Sequence, residues 1–96
     1  MRPKTSSNTQ EASHIALLYM AYLASNDEKL GQFCNISGLG ADELKARLMD
    51  PSFQGFLLDT LLQDESELLA FVADQGLKPE SIMLARSKLP GFSHDT

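Results

Sequence analysis

Residues 33–44, FCNISGLGADEL, and residues 71–82, FVADQGLKPESI, decide how this chain folds. Each stretch begins with Phe, places Gly-Leu at the same offset, and resumes with an acidic residue before an aliphatic one. Glycine enters the left-handed backbone region without steric cost, so it sits readily just past the end of a helix. A hydrophobic residue directly after it suits the C″ position of a Schellman motif and packs back on the helix it follows. Gly38-Leu39 and Gly76-Leu77 are therefore expected to be structural turns, each closing one helix and leading into the next.

Upstream of the first turn, Leu30, Phe33, Cys34 and Ser37 recur at i, i+3, i+4 and i+7, which predicts a helix over residues 28–37. Upstream of the second, Leu68, Phe71 and Val72 form the apolar face of a helix over 65–75. Ser25-Asn26-Asp27-Glu28 and Asp64-Glu65 supply the acidic caps that open these two helices. Downstream, residues 41–49 carry Leu44 and Leu48 one turn apart, with Asp42 and Glu43 in the first turn. Pro79 at N1 opens a helix over 79–89 with Ile82, Ala85 and Leu89 inward, and Pro90-Gly91 stops it. In the middle, Asp50 as N-cap and Pro51 at N1 start a helix over 51–62, with Phe53, Phe56, Leu57 and Leu61 inward. At the amino end, residues 1–9 are polar and contain Pro3; they read as a disordered leader. Ser7, Asn8 and Thr9 are competent caps for a first helix over 10–24. Residues 92–96 form a polar tail. The expectation is an all-α fold, a compact bundle of six short helices in one domain over residues 10–91, packed around the first and fourth.

The order long helix, acidic cap, short helix, Gly-Leu turn, short helix thus occurs twice, 38 residues apart. Leu23, Leu30, Phe33, Gly38 and Leu39 match Leu61, Leu68, Phe71, Gly76 and Leu77; Asp27 pairs with Glu65 and Leu44 with Ile82. Two readings stand: internal duplication of a three-helix unit, or a common capping grammar used twice.

The predicted first helix is apolar nearly all round. Ile15, Leu18, Tyr19 and Tyr22 form one face, and Leu17, Met20 and Ala21 add another. Such a helix is either central in its fold or buried in a subunit contact. Tyr19, Met20, Tyr22 and, from the fourth helix, Phe56 are the residues that could line a ligand pocket or a partner surface; core packing is the competing role for the same side chains.

Composition narrows the function classes. Eight Lys and Arg against thirteen Asp and Glu leave a formal net charge of -5, and five carboxylates fall between Asp59 and Asp74 with no basic residue among them. Nucleic-acid binding, which draws on Lys and Arg at phosphates, is disfavoured; Lys78, Arg86 and Lys88 make only the last helix locally basic. Arg2 and Lys4 before the apolar run 15–24 resemble a secretion signal superficially. Glu11 and His14 interrupt that pattern and no small-x-small cleavage site follows. The run is too short to span a bilayer. A single cysteine, Cys34, forms no intramolecular disulfide and fits a reducing compartment, so a cytoplasmic location is expected.

No catalytic constellation emerges. His14 and His94 lack neighbours at metal-ligand spacing. Cys34 lies on an apolar face, where free cysteine behaves as a small hydrophobe. Asp64, Glu65 and Glu67 are accounted for by capping and the helix dipole. SGLG at residues 37–40 lacks the lysine and strand of a phosphate loop. The Gly-turn between short helices also describes a DNA-reading helix-turn-helix, but ADELKARLM opens on two acids, and PESIMLARSKL carries its cations late.

NDEKLGQFCNISGL, ADELKARLMDPSF, LLQDESELLAFVADQGLKPESI and ARSKLPG, in that order behind an Ala/Leu-rich first helix, resemble the domain of unknown function 3572 family over residues 12–91. The most specific pieces are DPSF, DESELLAF and the two Gly-Leu turns. The resemblance implies a small cytoplasmic helical protein of alphaproteobacteria and carries no activity or catalytic residues with it. The expected function is that of a non-enzymatic protein-interaction or regulatory protein, with another protein or a second copy of itself as partner. No cofactor, metal or membrane is expected. Alternatives are a small-molecule carrier built on Tyr19, Met20, Tyr22 and Phe56, and a weak helix-turn-helix-like DNA binder.

Overall fold

The structure, a computed structural model, describes residues 4–89, and the side chains from residue 11 onward. Six helices follow in order: α1 (Lys4–Ala24), α2 (Asp27–Ser37), α3 (Ala41–Ala46), α4 (Pro51–Leu62), α5 (Glu65–Gln75) and α6 (Pro79–Ser87). No strand occurs among the described residues. The fold is all-helical, as the apolar periodicities predict.

Local chemistry opens α2 to α6 at, or within one residue of, the expected positions. The Asn26 side chain accepts from the backbone N–H of Glu28 and Lys29, at 3.0 and 3.1 Å. Asp50 accepts from Ser52 N–H and Asp64 from Glu67 N–H, both at 3.2 Å. Glu43 reaches back to accept from the Gly40 N–H at 2.9 Å. Pro51 and Pro79 occupy first-turn positions where no intrahelical donor is needed.

α2 begins at Asp27, one residue early, and three boundaries differ from the sequence reading by more. α1 begins at Lys4, so residues 4–9 of the expected leader, with the proposed caps Ser7, Asn8 and Thr9, lie inside the helix. No Gly or Pro follows Pro3 there, and a helix already nucleated gains one hydrogen bond for each further residue it fixes. Residues 1–3, the Pro90-Gly91 stop and the tail at 92–96 lie outside the described residues. α3 ends at Ala46 rather than Met49. Proline disfavours helical backbone at the residue before it, so the chain tightens through successive i→i−3 bonds, ending with Asp50 N–H to the Arg47 carbonyl at 2.9 Å. α6 ends at Ser87, although Leu89 beyond it is buried as expected.

The repeat is structural. α1 and α4 end, α2 and α5 begin and end, and α3 and α6 begin at positions 38 residues apart. The junction hydrogen bonds recur with the same offset: Ser25 N–H to Ala21 carbonyl matches Gln63 to Asp59, and Asn26 to Leu23 matches Asp64 to Leu61. Buried positions recur as well, as in Leu23 and Leu61, Phe33 and Phe71, Leu44 and Ile82.

Both Gly-Leu turns have left-handed glycine, φ 75° at Gly38 and 70° at Gly76. Yet they close differently. The Leu77 N–H donates to the Val72 carbonyl at 2.8 Å, the six-to-one bond of the Schellman motif. The Leu39 N–H instead donates to the Ser37 hydroxyl at 3.2 Å. The Schellman expectation at Leu39 is therefore corrected: a hydroxyl stands one residue before Gly38, where Gln75 stands before Gly76, and it captures the amide first. Placing a Cβ in left-handed backbone costs about 1–2 kcal/mol, so Gly38→Ala and Gly76→Ala should each lower stability by that amount in urea melts. Open space surrounds both glycines, so the cost is conformational rather than steric; an unchanged midpoint for both would refute the turn assignment.

α1 and α4 pack against each other at the centre. α6 packs on both, α2 lies against α1, and α5 against α4 and α6. Most of the apolar character of α1 is thereby explained: Ala12, Ala16, Tyr19, Met20 and Leu23 are buried within the chain, with Ile15, Leu18 and Tyr22 packed against the same core, while Ala21 is exposed. One polar side chain pins this centre. Gln54, 1% exposed, accepts from the Ser13 hydroxyl of α1 at 2.8 Å and donates to the Leu48 carbonyl at 2.8 Å. Gln54→Leu leaves the half-buried Ser13 hydroxyl and Leu48 carbonyl without this partner and should cost about 1–3 kcal/mol. A neutral result in chemical denaturation would show that water replaces both bonds.

Candidate functional site

The four residues proposed from sequence as one surface do not converge. Tyr19 and Tyr22 project from α1 onto Phe71 of α5, with each tyrosine ring centroid 5.2 Å from the Phe71 centroid in edge-on geometry. Met20 is buried in the core. Phe56 is half-buried in a different ring cluster, 5.8 Å from Phe33 and 6.3 Å from Phe53. Edge-on rings at these separations fill space and attract through their quadrupoles. Core packing therefore accounts for Tyr19 and Met20, and the carrier reading loses the shared lining on which it was framed.

Beside Tyr22, Lys29 of α2 bonds to Glu67 of α5 at 2.7 Å, and its Nζ lies 5.9 Å from the Tyr22 ring centroid. Lys29 and Glu67 occupy equivalent positions of the two units. The hydrogen bond to Glu67 raises the Lys29 pKa above its ordinary 10.5. Burial, with smaller contributions from Glu67 and Asp64, pushes the Tyr19 phenol well above 10.0. Both groups hold their protons in the fold at a pH where the unfolded chain releases them. The unfolded chain then binds fewer protons, so stability falls with rising pH. Stability from this cluster is complete below about pH 10 and is lost above it. Thermal melts from pH 8 to 12 should show that decline, and Tyr19→Phe should flatten it; an equally steep fall in the variant would remove Tyr19 as a cause.

The remaining charged groups are absorbed locally. Arg86, read from sequence as a cation of a basic last helix, is 3% exposed and turned inward. Its Nε and Nη2 donate to the two carboxylate oxygens of Asp59 at 2.7 and 3.1 Å, and its Nη1 to the Leu89 carbonyl at 3.2 Å. That geometry withdraws one of the three cations from any phosphate contact. His14 is exposed and Cys34 is a free, half-buried thiol; His94 lies outside the described residues. Among the described residues no three His, Cys, Asp or Glu side chains come together as a metal site, and no helix is long and apolar enough to cross a membrane.

What sequence reasoning missed lies on the second unit. The end of α4 and the first turns of α5 and α6 border an open groove lined by Leu62, Glu65, Leu68, Pro79, Glu80 and Met83. Met83 is 64% exposed and its neighbour Leu84 60%. The internal repeat supplies a control for this surface. At the positions equivalent to Leu62, Pro79, Met83 and Leu84 the first unit has Ala24, Ala41, Lys45 and Ala46. On the second unit Leu62 packs against the core and Pro79 opens α6, whereas Met83 and Leu84 stand in water where the first unit has lysine and alanine. The two acids are different: Asp27 and Asp42 stand where Glu65 and Glu80 stand, in first turns that favour negative charge. A signal was present in the sequence. Ile82-Met83-Leu84-Ala85 is a run of four apolar residues, and a helix with one buried face cannot turn all four inward.

Comparison with known proteins gives a match over residues 9–92 to a family described as Protein of unknown function (DUF3572). No curated protein and no solved structure matches the chain.

Proposed function

From the premise that this chain belongs to the DUF3572 family, proteins of unknown function, we propose that it is a non-catalytic interaction protein that docks another protein on the α4–α5–α6 groove. One observation carries the reading: Met83, in the groove, and Leu84 beside it present apolar side chains to water where the equivalent unit of the same chain has lysine and alanine. Apolar surface that the fold does not need and leaves in water is characteristic of a docking site. The non-catalytic part rests on the carboxylates, several of which are engaged in caps or ion pairs: Asp50 and Asp64 in caps, Asp59 and Glu67 in pairs. A cytoplasmic setting is supported by the free thiol of Cys34. The partner is taken to be a different protein, since most apolar side chains of α1, the helix that raised the expectation of a homodimer, pack inside the chain.

A photoreactive phenylalanine analogue at position 83 or 84 should form a discrete adduct in extract of the cells that make the protein. The same group at the exposed Met49 should not. Met83→Glu with Leu84→Glu should change stability by no more than about 0.5 kcal/mol while competing poorly for that adduct. Adducts of equal yield from positions 49 and 83, or none from 83 and 84, would end the docking reading.

A further inference from the structure

We propose that the groove takes an amphipathic helix with apolar anchors one turn apart and basic residues on its flanks. The inference rests on the docking reading above and adds the chemistry of the partner. The lining pairs an apolar floor, Leu62, Leu68, Pro79 and Met83, with two carboxylates and no cation. Glu65 and Glu80 are exposed, and neither forms an ion pair or side-chain hydrogen bond among the described residues. Their charge is therefore free to meet a partner's lysine or arginine, and such complementarity selects partners and speeds encounter.

The walls of the groove decide the shape of the occupant. All regular structure among the described residues is helical, so no sheet edge is offered for an added strand. A cleft between helices receives a helix through side chains at i, i+3 or i+4, and i+7. Met83, exposed in the lining, has a flexible thioether that adapts to the anchors it meets. A second copy of this chain fits poorly. With a net charge of -5, two copies repel, and face-to-face pairing would set Glu65 and Glu80 of one groove against those of the other.

The test uses the full chain and two labelled eighteen-residue peptides. Both carry Leu at i, i+3, i+4 and i+7; one has Lys at the other positions and one has Glu. Fluorescence anisotropy should give about tenfold tighter binding for the Lys peptide, weakening as salt rises. Met83→Glu should lower its affinity about fivefold or more, and Glu65→Gln with Glu80→Gln about threefold. Met49→Glu, exposed but outside the groove, should leave it unchanged. Equal binding of the two peptides, or equal loss from Met49→Glu and Met83→Glu, would overturn the inference. The two levels separate cleanly. An adduct specific to position 83 together with peptide binding indifferent to Met83→Glu would retain the docking surface and discard the basic helix.

Discussion

Phe71→Ala should destabilise the protein by about 3–5 kcal/mol, the usual cost of deleting a fully buried aromatic ring. Phe71 is fully buried and receives the edges of two tyrosine rings, Tyr19 and Tyr22, so its loss opens a void between α1 and α5 and removes two favourable ring contacts. In a domain of this size that cost corresponds to a fall in Tm on the order of 12 °C or more, and it approaches the whole stability of a marginal fold. The equivalent Phe33→Ala should cost less. Phe33 meets Phe53 and the half-buried Phe56, and that cluster lies nearer the surface, where neighbours can relax into the gap. Urea denaturation of both variants decides the matter. A loss below about 1 kcal/mol for Phe71→Ala would mean that α5 is not seated as described.

The second large effect is an asymmetry. Asp59→Ala should cost about 3 kcal/mol, the lower end of the range for breaking a buried ion pair from one side. Arg86→Met should cost only about 1–2 kcal/mol, mostly through the Leu89 carbonyl it leaves without this donor. The reason is burial. The Arg86 side chain is 4% exposed, so water compensates its charge little when Asp59 is gone; the Asp59 side chain is 42% exposed, so water can solvate it when Arg86 is gone. Replacing the buried charge with an apolar chain of similar length also removes the desolvation cost of the pair. Equal losses, or a larger loss for Arg86→Met, would show that the two groups share the burden differently.

Most of the helices were legible because their ends are written in local chemistry. Asn26, Asp50 and Asp64 bond to amides two or three residues away, and Pro51 and Pro79 need no donor where they stand. Gly38 and Gly76 take left-handed backbone that their neighbours could not share. All of these acts are completed within one turn of chain. The misreadings also have local causes. The Ser37 hydroxyl competes for the Leu39 amide, and Asp50-Pro51 cuts α3 short. The start of α1 depended instead on how far a packed helix propagates through residues that neither break nor cap it.

The candidate surface was harder to see. Tyr19 and Met20 drew notice as aromatic and sulfur-bearing residues, and both went to the core. Met83 and Leu84, unremarked among other apolar residues, are in water, as are Ile36, Met49 and Leu69 elsewhere on the surface. Which side of α6 faces inward depends on the positions of α1 and α4, which both pack against it. Arg86 follows the same logic: as a sequence letter it is a surface cation, and only the approach of Asp59 across the bundle draws it inside.

The amino-acid order by itself determined that this chain is helical, where its Gly-Leu turns fall, and that the order helix, acidic cap, helix, Gly-Leu turn, helix recurs after 38 residues. Those properties depend on backbone preferences and on hydrogen bonds closed between near neighbours. Tertiary structure alone decided that Tyr19, Met20 and Leu23 of α1 are buried in its own chain, that Arg86 points inward, and that Met83 and Leu84 remain in water. Each of those outcomes depends on which faces meet across the bundle, and periodicity leaves that choice open until the helices pack.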